Sequence, residues 1–426
     1  MRIKLAYGRS GLWVDVPQDT RVVEPAHLPT LPDPYHAIAS ALRQPIDSPP
    51  LRQLFSPRHK VAVVFSDLTR PIPNHQVLPP LLAEIEAAGI PRSHILLINA
   101  CGMHRPNTPQ ELVAMLGREM AEGYPILNHD ADAQMRYLGE SSFGSPLWIN
   151  PAYLEADVRI LTGLIEPHIF AGFSGGGKGV LPGIAGSSTI MSNHSAPMLN
   201  HPQATWGLTM ENPIFAEARE AALMTRPTFL LNVTVNGDQE ITGVFAGELA
   251  AAHDAGIAFA RRSAMQPLPQ PLDIAVTTNS GYPLDLNLYQ GIKGMSAAAQ
   301  VTKDGGAIIM ACQCSEGLGL ERYVQLLRMG SSPQELLDMI NRPGFAMFDQ
   351  WAVQLQSQIL LQKRVFLHSS LPDEETRLAG LLPCPSIEDT LRALVKEYRQ
   401  RHGASPTVAV FPQGPMTIPY VAASGG

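Results

Sequence analysis

Charge is scarce in this sequence: only 16% of its 426 residues are charged, against 45% hydrophobic. That balance excludes a disordered or fibrous chain and calls for large buried cores. There is no basic run, and the formal net charge is −7, which argues against nucleic acid as the main partner. No apolar stretch reaches the roughly 20 residues that span a bilayer, so no membrane partner is expected. Cysteine is rare as well. Cys101, Cys312, Cys314 and Cys384 have the spacing of neither a zinc ribbon nor a disulfide framework. Cys312 and Cys314 read as strand-end residues rather than ligands. The opening Met1-Arg2-Ile3-Lys4-Leu5-Ala6-Tyr7-Gly8 alternates like a strand and lacks a signal peptide's apolar run. A reducing cytoplasm is therefore the expected compartment. Internal repeats and low-complexity tracts are also missing.

What is present is an alternation of strands and helices. A hairpin turned at Gly8 to Gly11 opens the chain, and from Lys60 the pattern becomes β-α-β. Val61-Ala62-Val63-Val64-Phe65 is a continuous apolar run, as expected of a strand buried on both faces of a parallel sheet. A helical period over 77–88 stops at Gly89. Further strands are expected at 94–100, 158–163 and 230–235, with a helix at 109–116. Pro267, Pro269 and Pro271 mark a linker. Beyond it, strands are expected at 274–278, 307–311, 365–367 and 407–411, with helices at 288–301, 332–340, 346–361 and 387–401. The fold class is α/β: two domains, 1–266 and 273–400, with Rossmann-like parallel sheets and an active-site cleft between them.

The most distinctive segment is Gly172-Phe173-Ser174-Gly175-Gly176-Gly177-Lys178-Gly179. It satisfies the phosphate-gripping G-x-x-x-x-G-K pattern but puts Gly179 where a magnesium-binding hydroxyl belongs. Leu181-Pro182-Gly183 then breaks the chain where a long helix is needed. A phosphate-bearing ligand other than a nucleoside triphosphate fits this better. Unusual polar residues also collect after strands, where open α/β sheets bind ligands. They are Ser66-Asp67-Leu68-Thr69-Arg70-Pro71, Cys101-Gly102-Met103-His104-Arg105-Pro106 and Glu166-Pro167-His168, with Tyr289-Gln290-Gly291-Ile292-Lys293 in the second domain. Tyr289 and Lys293 share a helix face. Each piece has an ordinary reading: a hydrogen-bonded structural histidine, an Arg70 paired with Glu84 or Glu86, a glycine loop that marks only tight packing.

Together these segments resemble the nickel-pincer lactate racemase family, in order and over nearly the whole chain, with Ser192-Asn193-His194 and Asp349-Gln350-Trp351 completing the set. The resemblance implies that the last strand, about 404–426, returns to the first domain, which holds the cofactor. It implies a nickel-pincer nucleotide, a pyridinium mononucleotide with two sulfur-containing arms, attached in some members through the lysine matched by Lys178. His194 matches the nickel ligand, and His104 and His168 match the acid/base pair. Arg70, Tyr289, Gln290, Lys293 and Trp351 match substrate-binding positions. Asp67, Leu68, Thr69, Arg70, Ser174, Gly176 and Gly177 fall where the cofactor is held. A carbon and two sulfurs plus one imidazole make a square-planar set suited to Ni(II), which explains why no clustered metal motif is visible. The implied activity is inversion at C2 of a 2-hydroxy carboxylic acid by reversible hydride transfer, making the enzyme an isomerase. The implied partners are that small acid and the proteins that make the cofactor. A larger 2-hydroxy acid such as malate, an aromatic hydroxy acid or an aldonate is the alternative substrate. A nucleotide-binding protein or a non-enzymatic cofactor carrier is the alternative class. Ile169, Phe170 and Trp351 are candidates to shape the side-chain pocket.

Overall fold

The computed structural model describes residues 1–422. The chain divides into two bodies, one formed by 27–194 with 201–262, the other by 1–26, 195–200 and 263 onward.

The first body is built on a six-stranded sheet in the order Ile241–Gly247, Phe229–Val235, Val158–Leu164, Val61–Ser66, Ile95–Ala100, Ile126–Asn128. Only the Ile241–Gly247 edge is antiparallel. The apolar strand runs are filled on both faces, as their composition demands. Val61, Val63 and Phe65 join one core with Ile160, Leu231 and the helix residues Val77, Leu81 and Ile85. Ala62 and Val64 point into a second core with Leu161, Leu230 and Ala221. Helix Asn74–Ala87 ends before Gly89, where φ is +88° and a side chain would be strained. The chain runs outward from Val61–Ser66 to Ile95–Ala100 and Ile126–Asn128, then reverses to Val158–Leu164 on the other flank. The gap between the ends of Val61–Ser66 and Val158–Leu164 is thus a topological switch point, the favoured ligand position in such sheets.

The second body has its own six-stranded sheet, all parallel: Leu382–Pro383, Arg364–His368, Thr302–Ala311, Leu272–Thr278, Val408–Phe411, Arg21–Val22. This corrects the expected domain boundaries. The last strand does not return to the first body; Val408–Phe411 pairs with Leu272–Thr278, and residues 1–26 join the same body. Val410 is fully buried beside Val276 and Ile309, so hydrophobic completion of this sheet decides where the strand goes. The final four residues of the expected 404–426 segment lie outside the described residues.

The Gly8–Gly11 hairpin forms, with Leu5 opposite Leu12. Helices Pro213–Met224 and Leu249–Ala264 and the hairpin Arg136–Glu140/Pro146–Ile149 have no counterpart in the expectations above. Among the described residues, no helix is long and apolar enough to cross a membrane.

Candidate active site

Three loops meet at the switch point of the first body. The loop after Val61–Ser66 carries Asp67 to Arg70, the loop after Ile95–Ala100 carries His104, and the Val158–Leu164 strand leads to Glu166 and His168.

Asp67 organises the first two loops. Its Oδ2 lies 2.8 Å from His104 Nδ1. Its Oδ1 accepts from the Thr69 hydroxyl at 2.7 Å and from the Thr69 amide at 3.3 Å. Burial alone would raise the Asp67 pKa, but hydrogen bonds from His104 and Thr69 and the positive charge of Arg70 outweigh it and the pKa is lowered. The Leu68 amide is anchored on Asn107 Oδ1 at 3.3 Å, while the Leu68 side chain is exposed. Arg70 reaches across the switch point, its Nη1 3.3 Å from Glu166 Oε1. Glu84 and Glu86, the partners of the ordinary reading, are engaged elsewhere: Glu84 with Arg43 and Arg52, Glu86 with Arg92.

His168 is buried, and its Nδ1 accepts from the Ala171 amide at 3.2 Å. The 168–172 turn is closed by pairing of His168 with Gly172. Phe170, at its tip, meets His168 edge-on with ring centroids 4.7 Å apart and His194 at 5.0 Å. The Lys178 ammonium stands 5.9 Å from the same ring. Burial and the nearby Arg70 charge pull the Lys178 pKa down to about 7. Burial, then the Lys178 charge, lowers His194 to about 3, so its imidazole is neutral at physiological pH. His104, Arg70, Lys178, His168 and His194, up to 124 sequence positions apart (70 to 194), are thus linked by contacts through Asp67 and Phe170 and by short-range charge interaction.

The glycine-rich segment does something different from what its pattern suggests. It continues as a four-residue 3-10 turn, Gly176–Gly179, not as a long helix. The Ser174 hydroxyl donates to Leu164 O at 2.7 Å and accepts from the Glu166 amide at 3.0 Å. The Gly176 amide donates to Asn232 Oδ1 at 2.8 Å. Gly176 has φ +52°, and a Cβ there would lie 2.1 Å from His253 Nδ1. A Cβ on Gly177 would lie 2.5 Å from Ala218 O. In this structure the Ser174 hydroxyl and the Gly176 amide bond within the chain, and glycine at 176 and 177 is needed for close packing.

Other parts of the site fit the nickel-pincer group. His194 offers a neutral imidazole, the form a metal requires. Lys178 offers an amine poised to lose its proton, the form in which it can form a covalent amide-type link.

In the second body, the Asn287 side chain caps helix Leu288–Ala299 by accepting from the Gln290 amide. Lys293 Nζ donates to Gln290 Oε1 at 2.8 Å. The Tyr289 hydroxyl donates to Asp349 Oδ1 at 2.9 Å and accepts from Trp351 Nε1 at 3.3 Å. Burial, then the Asp349 charge, raises the Tyr289 pKa. Asp349 is buried with a left-handed φ of +68°, an uncommon conformation for a residue with a side chain. Two residues with no assigned role in the sequence reading emerge here, Glu166 and Asp349. Both lie inside the quoted motifs Glu166-Pro167-His168 and Asp349-Gln350-Trp351, and that membership was the only signal for them.

The fold is α/β, and its polar residues gather at the switch point of the first sheet. Residues 7–207 match the model of the lactate racemase N-terminal domain, and 268–418 that of the lactate racemase C-terminal domain. The chain is 37% identical over 381 residues to a lactate racemase of Lactiplantibacillus plantarum, covering 88% of this chain and 89% of that one. It is 35% identical over 376 residues to a lactate racemase of Thermoanaerobacterium thermosaccharolyticum, covering 86% and 87%. A solved structure of the lactate racemase apoprotein from T. thermosaccharolyticum superposes with TM-score 0.90 at 32% identity, over 98% of this chain and 100% of that one. A Thermotoga maritima crystal structure shares the fold at TM-score 0.67 and 20% identity, over 92% and 99%. The chain belongs to the lactate racemase family.

Proposed function

We propose that this enzyme interconverts the enantiomers of lactate, or of a closely similar 2-hydroxy acid, with a nickel-pincer nucleotide as cofactor. What carries the reading is the linked set Arg70, His104, Lys178, His168 and His194 at one switch point. Curated relatives named lactate racemase, covered over most of their length, support the substrate.

When bound, the cofactor would supply the acceptor for the C2 hydride. His194 would hold its nickel and Lys178 its arm, with the Asp67–Arg70 loop beside its nucleotide part. The chain does the rest. The Arg70 guanidinium grips the substrate carboxylate as a planar fork. His104 and His168 handle the hydroxyl proton, since histidine exchanges protons reversibly near neutral pH. Gln290 and Lys293 add donors to the substrate, and Tyr289 and Trp351 line its site. Phe170 and the buried 168–172 turn exclude water, strengthening each polar contact. The four free cysteines are in keeping with the cytoplasm, where the cofactor-making partner proteins would also act.

The test is to load the protein with cofactor, supply enantiopure lactate and follow loss of optical purity. Malate, an aromatic hydroxy acid and an aldonate run in parallel define the substrate. Optical purity preserved in every case, with cofactor bound, overturns the reading.

A further inference from the structure

We infer that His104 and His168 rest in opposite tautomers, with Asp67 and the backbone amide of Ala171 dividing the proton chemistry between them. The inference rests on the function proposed above and assigns each histidine its part.

Asp67 Oδ2, 2.8 Å from His104 Nδ1, can only accept when ionised. His104 Nδ1 therefore carries the proton, and the neutral ring keeps its lone pair at Nε2. The Ala171 amide, 3.2 Å from His168 Nδ1, can only donate. Here Nδ1 is the lone pair and the proton sits on Nε2. The two rings present opposite faces of the same chemistry, one a bare acceptor and one an N–H donor.

Their surroundings reinforce the difference. When His104 takes up a proton at Nε2, its Nδ1–H stays on the Asp67 carboxylate and no bond has to be broken. A protonated His168 would set Nδ1–H against the Ala171 N–H, inside a turn buried with Phe170 and pinned by pairing to Gly172. His104 is thus the proton carrier. The substrate O–H bond breaks, Nε2–H forms on His104, and Nδ1–H remains on Asp67. His168 offers its Nε2–H as a hydrogen bond to the substrate and becomes a base only after its bond from Ala171 opens. Asp67 is a positioning residue that acts through His104. Enantiomers have equal free energy, so kcat/KM must be the same for both; the unequal histidines appear as parallel differences in kcat and KM.

Asp67→Asn gives a sharp test because the direction of its amide is fixed. The Thr69 amide can only donate, so it holds the Asn carbonyl where it now holds Asp67 Oδ1. The Asn NH₂ then faces His104 Nδ1 and forces the proton to Nε2, the wrong tautomer for a base. The same exchange in serine-protease triads has that consequence.

The measurement is nitrogen–proton correlation NMR of the full chain labelled at histidine, without cofactor or substrate, at about pH 8.5, where ordinary histidines are neutral. His104→Gln and His168→Gln identify the two signals by their disappearance. The expected result is Nδ1–H at His104 and Nε2–H at His168 in the parent protein. In Asp67→Asn, His104 should move to Nε2–H with His168 unchanged as an internal control. Turnover of the loaded variant should fall on the order of 10²- to 10⁴-fold. The same tautomer at both histidines in the parent protein would overturn the inference whether or not Asp67→Asn folds. So would an unmoved His104 in a folded Asp67→Asn. Opposite tautomers in a protein that racemises nothing would sink the proposed function and leave this assignment standing.

Discussion

Arg70 and Glu166 form an ion pair, Nη1 to Oε1 3.3 Å, between the ends of two neighbouring strands where the chain reverses direction across the sheet. Glu166 engages one N–H of the guanidinium, which has five N–H donors in all. Arg70→Lys keeps the charge and loses the fork. Its kcat/KM should fall on the order of 10- to 100-fold, with Arg70→Ala no more than modestly worse. Steady-state kinetics with both variants check this, and near-normal rates in the lysine variant would remove Arg70 from carboxylate binding.

His104→Gln and His168→Gln should each lower kcat on the order of 10²- to 10⁴-fold while the loaded protein keeps its nickel. His194→Ala should lose nickel instead, because its neutral imidazole is the proposed ligand. Elemental analysis of desalted proteins decides. Nickel lost from the His104 variant and kept by the His194 variant would reverse the roles.

Lys178 sets a pH signature in the cofactor-free protein. Its pKa falls from 10.5 in the unfolded chain to about 7. Between those values the unfolded state binds more protons, so stability rises with pH through this window; below about pH 7 the full penalty is present. Lys178→Met should therefore raise Tm most at pH 6 to 7 and hardly at all near pH 10.5. The gain should be a few kcal/mol at most, since the side chain is only half-buried. Thermal melts across that range provide the check, and a gain independent of pH would contradict the shifted amine.

Gly176→Ala isolates packing from ligand binding. A Cβ would lie 2.1 Å from the His253 ring at a φ of +52°. The cofactor-free protein should lose about 2–4 kcal/mol of stability, read by denaturant unfolding. A variant as stable as the parent would return this glycine to a purely ligand-facing role.

Under the proposed function, hydride leaves C2 and returns to the same carbon, so the same hydrogen stays there. Lactate deuterated at C2 should give racemised product that retains deuterium, measured by mass spectrometry. Extensive exchange with solvent during racemisation would point to proton abstraction at C2 instead.

The alternation of apolar runs, helical periods and glycine or proline stops is a local property, so the sequence alone specified an α/β fold. The same locality placed Asp67, His104 and His168 after strands, because polar residues interrupt an apolar run and so stand where it ends. It gave no reading of Pro213–Met224 and Leu249–Ala264, whose faces carry alanine and buried polar residues such as Glu217 and His253 that blur the helical period. The resemblance implied another place for the last strand, since any apolar β-run satisfies a sheet edge and only competition between edges selects one. The meaning of the glycine loop lay equally out of reach. A glycine that admits a phosphate and one that admits a neighbouring helix are the same letter, and only the fold shows how closely His253 and Ala218 pack against Gly176 and Gly177. Tertiary structure likewise decided that Arg70 meets Glu166 rather than Glu84, and that Asp67 turns His104 while the Ala171 amide turns His168. Sequence sets which donors and acceptors exist; their partners are chosen by distances that only the folded chain defines.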